Sequence, residues 1–368
     1  VRSAGVLFAA LFLLTACADR ARVIVVPEAA ELGTVVRTYV ASLRAPTDEG
    51  WFGPERSETL SFAAVDVAIP PNHVDGKIRV NHRRADPSRE FTVTGRQNYG
   101  DDGAFRRAIS TALKAQSANE RDVFIYVHGY NNSFLDGLFR TAQIKHDFDL
   151  PGLAVHYSWP SMANPLAYTY DRDSVLFARD GLEHMLKEVA AAGPRRIVLV
   201  GHSLGTMLVM ETLRQIEIAT PGWSDRVLGG VVLISPDLDV EVFKTQAHRM
   251  RHLPQPFAIF VSSRDRALQL SGRINGDGQR LGALTDASVL EELPVMLVDV
   301  SEFSAQEGGT RHFTVGTSPL LISLLSDSGA LSDTFQSDQA GKSGLLPGTV
   351  ITAKNATQLI LSPLLLIN

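Results

Sequence analysis

Six short apolar blocks constrain the fold of this chain more than any other feature: "VFIYVHG" (123–129), "LAVHYSWP" (153–160), "IVLVGHS" (197–203), "GGVVLISPD" (229–237), "PFAIFVSSRD" (256–265) and "VMLVDVS" (295–301). Each is almost continuous in Val, Ile, Leu and Phe, the pattern of a strand covered on both faces. Helical patterns separate them, such as "DRDSVLFARDGLEHMLKEVAAAG" (171–193), stopped by Gly193-Pro194. Strand and helix in alternation predict crossover units and an α/β fold, a mainly parallel sheet with helices on both faces. Upstream, "VVRTYVASL" (35–43), "ETLSFAAVDVAIP" (58–70) and "REFTVTGRQ" (89–97) read as further strands, and "DDGAFRRAISTALKAQS" (101–117) as the first helix.

One junction carries chemistry. In "RRIVLVGHSLGTMLVMETL" (195–213) a buried strand runs into Gly201-His202-Ser203-Leu204-Gly205, and a helix follows at once. Packing gives no reason to put a serine between two glycines at such a corner. Strand, Gly-x-Ser-x-Gly and helix in succession make a nucleophile elbow, in which the glycines permit close approach and the serine is held strained at the carboxyl end of the sheet. A serine hydroxyl is a poor nucleophile at neutral pH, so it needs a base, and the base needs an orienting acid.

Of the ten histidines, the one that follows the last apolar block is the candidate base, since the order in such an architecture is serine, acid, histidine. That is His312, in the glycine-led "EGGTRHFTV". His202 should leave the tight turn in another direction, His128 precedes the serine, and His248 and His252 fall in "KTQAHRMRHLP", a helical pattern. Asp265, closing "FAIFVSSRD", is the favoured acid; Asp237, in "SPDLD", is the alternative, and Asp239 suits a helix N-cap. A tetrahedral intermediate needs backbone donors for its oxyanion. The amide of Leu204 is one candidate and that of Tyr130, in "YVHGYNNSF", the other, with Asn131 and Asn132 bracing the loop through side-chain hydrogen bonds. Trp159, Tyr168 and Tyr170 suit either a substrate pocket or a cover for the following helix.

The first residues suggest export. Arg2, an apolar run from about Val6 to Leu14 and then small residues make a secretory signal layout, too short to span a bilayer stably. Leu14-Thr15-Ala16-Cys17 resembles the lipobox of bacterial lipoproteins, which implies lipid attachment at Cys17, the only cysteine of the chain. Ala18 stands where an aspartate favours inner-membrane retention, so an outer-membrane destination facing the periplasm is expected. The organisation expected is a signal at 1–16, a tether at 17–32, the α/β domain at 33–320 and a low-complexity tail at 321–368, whose closing apolar stretch "TQLILSPLLLIN" is interrupted by Pro363 and assigned no role. A net charge of −5 and no dense basic run argue against nucleic acid as a partner.

The succession "HGYNNSF", "VHYSWPS", "YDRDSVLFARDGLEHML", "VLVGHSLG", "LISPDLD" and "FVSSRDRAL" resembles the α/β-hydrolases, and within them a bacterial group of esterase/lipase-like proteins of unknown function, DUF900, over roughly residues 33 to 320. The resemblance implies an α/β-hydrolase sheet and a serine hydrolase mechanism, with Ser203 as nucleophile, Asp265 as acid, His312 as base and the Tyr130 and Leu204 amides as the oxyanion hole. It implies almost nothing about the natural substrate. The expected activity is a membrane-tethered carboxylic ester hydrolase working on a small-molecule or lipid ester. No metal or organic cofactor is needed, and no cysteine–histidine cluster suggests one. A peptidase or amidase on the same residues, and a non-catalytic envelope lipoprotein, are the rivals.

Overall fold

The computed structural model describes residues 22–81, 83–274, 278–304, 312–319, 322, 348–353 and 355–361. Three strands lead: β1 (Thr34–Pro46), β2 (Phe52–Ile69) and β3 (Thr92–Tyr99). Helix α1 (Asp102–Ala115) follows, then β4 (Asp122–Val127), α2 (Phe134–Asp147), β5 (Leu153–Ser158), α3 (Tyr168–Ala191), β6 (Arg196–His202) and α4 (Leu204–Ala219). The second half contains α5 (Trp223–Val227), β7 (Leu228–Ile234), α6 (Val240–Arg249), β8 (Phe257–Val261), α7 (Arg266–Ile274) and β9 (Met296–Asp299). Two short helices, α8 (Ser301–Ser304) and α9 (Thr314–Thr317), and two strands, β10 (Gly348–Ala353) and β11 (Ala356–Leu361), end the described chain.

The strands form one sheet in the order β10-β11-β9-β8-β7-β6-β4-β5-β1-β2-β3. From β11 across to β1 every neighbouring pair is parallel, as the apolar blocks and crossover helices predict. At the two edges β1–β2, β2–β3 and β10–β11 are antiparallel. Side chains alternate faces along a strand, and β4 does so strictly. Val123, Ile125 and Val127 enter the core shared with α1, α3, α4 and α6, while Phe124 and Tyr126 enter a second core on the opposite face. β1 behaves likewise, sending Tyr39, Ala41 and Leu43 one way and Val36 and Val40 toward α2. Two covered faces are why these strands carry no polar alternation.

The structure draws the domain wider than residues 33–320. The part of the expected tether from residue 22 onward is docked: Val25 bridges to Val93 of β3, Val26 N–H donates to the Val93 carbonyl at 2.8 Å, and Ala29 of a short 3₁₀ turn at Pro27–Glu31 is fully buried. Its apolar "VIVVP" covers the edge of β3, which would otherwise offer unpaired backbone groups to another chain. Nor is the C-terminal region all tail. β11 lies parallel to β9 and buries Ala356, Leu359 and Leu361, so the apolar stretch before Pro363 serves as a sheet strand. The helix expected through His252 stops at Arg249, leaving His252 beyond it. Among the described residues no helix is long and apolar enough to cross a membrane. Cys17 and the expected signal lie outside the described residues.

Candidate functional site

β6 ends at His202 and α4 begins at Leu204, so Ser203 alone makes the corner. It has φ 52° and ψ −125°, a backbone region that favours glycine and costs a serine of order 1–3 kcal/mol. The flanking glycines serve closeness instead. A Cβ on Gly205 would lie 2.3 Å from the His128 carbonyl oxygen, where helix α4 passes the end of β4. The corner is pinned on three sides: Ser203 N–H donates to the Ile234 carbonyl (3.0 Å), while its carbonyl accepts from Thr206 Oγ1 (2.6 Å) and Asp237 N–H (3.3 Å). Leu204 is the first residue of α4, so its N–H has no acceptor inside the helix.

Asp265 follows β8 and caps α7. Its Oδ1 accepts from the Ala267 and Leu268 amides at 3.0 and 3.1 Å, which fixes the carboxylate and turns Oδ2 outward. That oxygen lies 2.7 Å from Nδ1 of His312. Asp265 is fully buried and the His312 side chain 18% exposed, so the contact has one wet side. The His312 segment rests on the elbow through His202. The two rings are 5.0 Å apart, His202 Nε2 lies 3.4 Å from the His312 carbonyl, and the Phe313 ring meets His202 edge-on at 4.3 Å. Burial and then the neighbouring His312 hold His202 well below the ordinary histidine range, so it stays neutral. The expectation that His202 simply turns away is therefore incomplete: it is the surface on which the candidate base sits.

Asp237 is committed elsewhere. It accepts from Tyr168 Oη at 2.9 Å and Ser271 Oγ at 2.6 Å, and Arg280 lies at 3.5 Å. Asp239 caps α6, accepting from Glu241 and Val242 amides. His248 lies in α6 with Glu292 at 3.8 Å. Trp159 is fully buried, donates from Nε1 to the His128 carbonyl at 2.7 Å and stacks on the His128 ring, so it is core rather than pocket lining. Tyr170 carries the Arg56 guanidinium over its ring, 4.3 Å from the centroid.

The loop from Gly129 to Asn132 lies directly against the elbow, since a Cβ on Gly129 would be 2.8 Å from the Ser203 Cβ. Asn132 Nδ2 donates to the carbonyls of Tyr130 (2.8 Å) and Gly129 (3.3 Å), the bracing expected of it. Asn131 instead makes the turn, at φ 57°. Two buried charges that the sequence reading passed over hold this loop from behind. Arg44, on β1, donates to the carbonyls of Asn132 and Ser161 (both 2.8 Å) and Gly53 (3.2 Å), and to Ser158 Oγ (2.9 Å). Burial lowers its pKa to about 10, which leaves it cationic at neutral pH. Asp171, on α3, accepts from Ser161 Oγ (2.6 Å), Met162 N–H (2.8 Å) and Asn131 N–H (3.2 Å), and burial raises its pKa. An arginine inside an otherwise buried strand was the available signal, for a buried charge persists only with partners.

A parallel sheet whose rim presents a strained serine, beside a loop packed on it and a histidine–aspartate pair, defines an α/β hydrolase. The chain belongs to the family of α/β hydrolases of unknown function, DUF900, whose model matches residues 101–327. No curated protein matches it. Solved structures resemble it distantly. One, described as a YdeN-like hydrolase from Pectobacterium atrosepticum, is 17% identical with TM-score 0.33, covering 62% of this chain and 98% of its own. A fungal esterase from Rhizomucor miehei is 12% identical with TM-score 0.36, over 87% and 88%. Phospholipase PlaB from Legionella pneumophila is 13% identical with TM-score 0.23, over 53% and 42%. Likeness at this level says nothing about activity.

Proposed function

We propose that this hydrolase cleaves carboxylic esters through an acyl-enzyme on Ser203. The observation that carries the reading is the 2.7 Å contact between His312 Nδ1 and Asp265 Oδ2. It joins residues 47 positions apart, on the rim where Ser203 is held at φ 52°. With Nδ1 donating to Asp265, Nε2 is the nitrogen that takes the Ser203 proton as Oγ attacks the acyl carbon. The Leu204 and Tyr130 amides receive the oxyanion. His312 then returns the proton to the leaving alcohol, and water releases the acid by the same steps in reverse. Asp265 holds the tautomer and stabilises the imidazolium.

A screen of p-nitrophenyl esters of graded chain length, run beside matched anilides, tests this reading. Ester turnover that Ser203→Ala abolishes supports it. Turnover of anilides in preference to esters would favour the amidase alternative, and no turnover of either by folded protein would favour a non-catalytic scaffold. We further propose that the chain is exported and anchored through a lipid at Cys17 in the outer membrane. Metabolic labelling with a fatty acid should mark the wild type and leave Cys17→Ser unmarked.

A further inference from the structure

Away from the serine, two imidazoles converge on one buried carboxylate. His73 follows β2 in the loop that leads to β3, whereas His146 and Asp147 end α2. His73 Nε2 and His146 Nδ1 lie 2.7 and 3.0 Å from the same oxygen, Oδ1 of Asp147. One ligand atom from each of the three residues falls within 4.8 Å of the others. The second oxygen, Oδ2, accepts from Gly76 N–H at 2.6 Å and from Gln143 Nε2 at 2.5 Å. Gln143 is itself oriented by Arg140, which donates to its Oε1 at 2.7 Å. The side chain of Asp147 is fully buried and that of His73 nearly so, while that of His146 is 32% exposed.

We infer that His73, His146 and Asp147 form a binding site for one divalent transition-metal ion of the zinc type. Two nitrogens and one carboxylate oxygen suit zinc, cobalt or nickel, and not calcium or magnesium, which want oxygen alone. Bonds of 2.0–2.2 Å in a tetrahedron put ligand atoms about 3.4 Å apart, so the Asp–His edges of 2.7 and 3.0 Å widen by about 0.7 and 0.4 Å while the third edge, within 4.8 Å, adjusts to match. Each ring would turn a lone pair to the ion with its remaining proton on the far nitrogen. The fourth position falls to water on the exposed side of His146. The hydrogen bonds on Oδ2 leave Oδ1 as the coordinating oxygen, the outer support that such ligands have in metal sites. The site lies at the C-terminus of α2, the end of a helix that favours a cation.

The ion would staple the loop after β2 to α2. That loop and α2 both meet the segment just after the candidate base: a Cβ on Gly76 would be 2.6 Å from the Thr317 carbonyl oxygen, and Arg140 of α2 donates to the Gly316 carbonyl at 3.0 Å. Metal occupancy should therefore steady the segment that begins at His312.

The test is calorimetric titration of the untagged, chelator-treated full chain with zinc chloride, with cobalt(II) absorption as a second probe. One saturable site, a rise in melting temperature on zinc addition and X-ray absorption showing two imidazoles and oxygen are expected. His73→Gln with His146→Gln should lose the site. His184→Gln should keep it, although His184 belongs to a separate group with Asp102 and Glu188. Absence of saturable uptake by the wild type overturns the inference however the variants fold, and leaves Asp147 as a hydrogen-bonded anchor alone. Uptake unchanged in the double variant, or lost in His184→Gln, also overturns it.

Discussion

Ser203 keeps a glycine-type backbone conformation without being glycine, and that sets a stability–activity conflict at a single residue. Ser203→Gly should relieve the strain and stand about 1 kcal/mol above Ser203→Ala in urea unfolding, while both lose ester turnover. Equal stabilities would mean that the corner is not strained. The acid can be assigned the same way. Asp265→Asn should lower kcat by about 10⁴, as loss of the orienting carboxylate does in serine hydrolases. Asp237→Asn should keep most of it, because Asp237 serves Tyr168 and Ser271. The opposite ranking, read from initial rates, would hand the role to Asp237. Ser203 and Asp265 stood out as candidates because each ends an apolar block. His312 was legible only by its order in the chain, and the role of His202 beneath it was not legible at all, since it depends on a contact 110 residues away.

Among the elements, the loop from Gly129 to Asn132 is the one whose shape the proposed oxyanion hole needs, and the brace from its own Asn132 is not its sole support. Arg44 and Asp171 hold it from two other elements. Replacing Arg44 by Met leaves several buried carbonyls without their donor, at roughly 1–3 kcal/mol each before relaxation. The expected result is a clear drop in melting temperature together with a fall in kcat larger than any change in KM. A variant as stable and as active as wild type would show that the loop keeps its shape unaided. The apolar blocks disclosed the parallel strands because burial on both faces leaves a compositional mark. The Arg44–Asp171 support left a fainter mark, an arginine inside an otherwise buried strand, and its partners are what identify it as a buried ion. The docking of residues 22–32 and the pairing of β11 were missed for a related reason, since short apolar stretches beside polar ones look alike whether they tether or pair.

Among the described residues, burial keeps the rings of His128, His156 and His202 neutral. Burial holds His128 and His202 well below the ordinary range and lowers His156 to about 3. In the unfolded chain each takes a proton near pH 6.5, so below that pH the unfolded state binds more protons and stability falls as pH drops. From pH 7 to 5.5 the three together should remove roughly 4 kcal/mol, offset in part by His146, whose hydrogen bond to Asp147 raises its pKa. Urea unfolding at the two pH values checks this, and a flat profile would mean that the rings are not buried neutral. The catalytic reading stands or falls on whether Ser203 is an activated nucleophile. Incubation of the folded protein with a fluorophosphonate, followed by peptide mass spectrometry, measures that directly. A single adduct on the peptide carrying Ser203, absent from His312→Ala, is the expected result; a folded wild type that takes no label, or takes it on another residue, would contradict it.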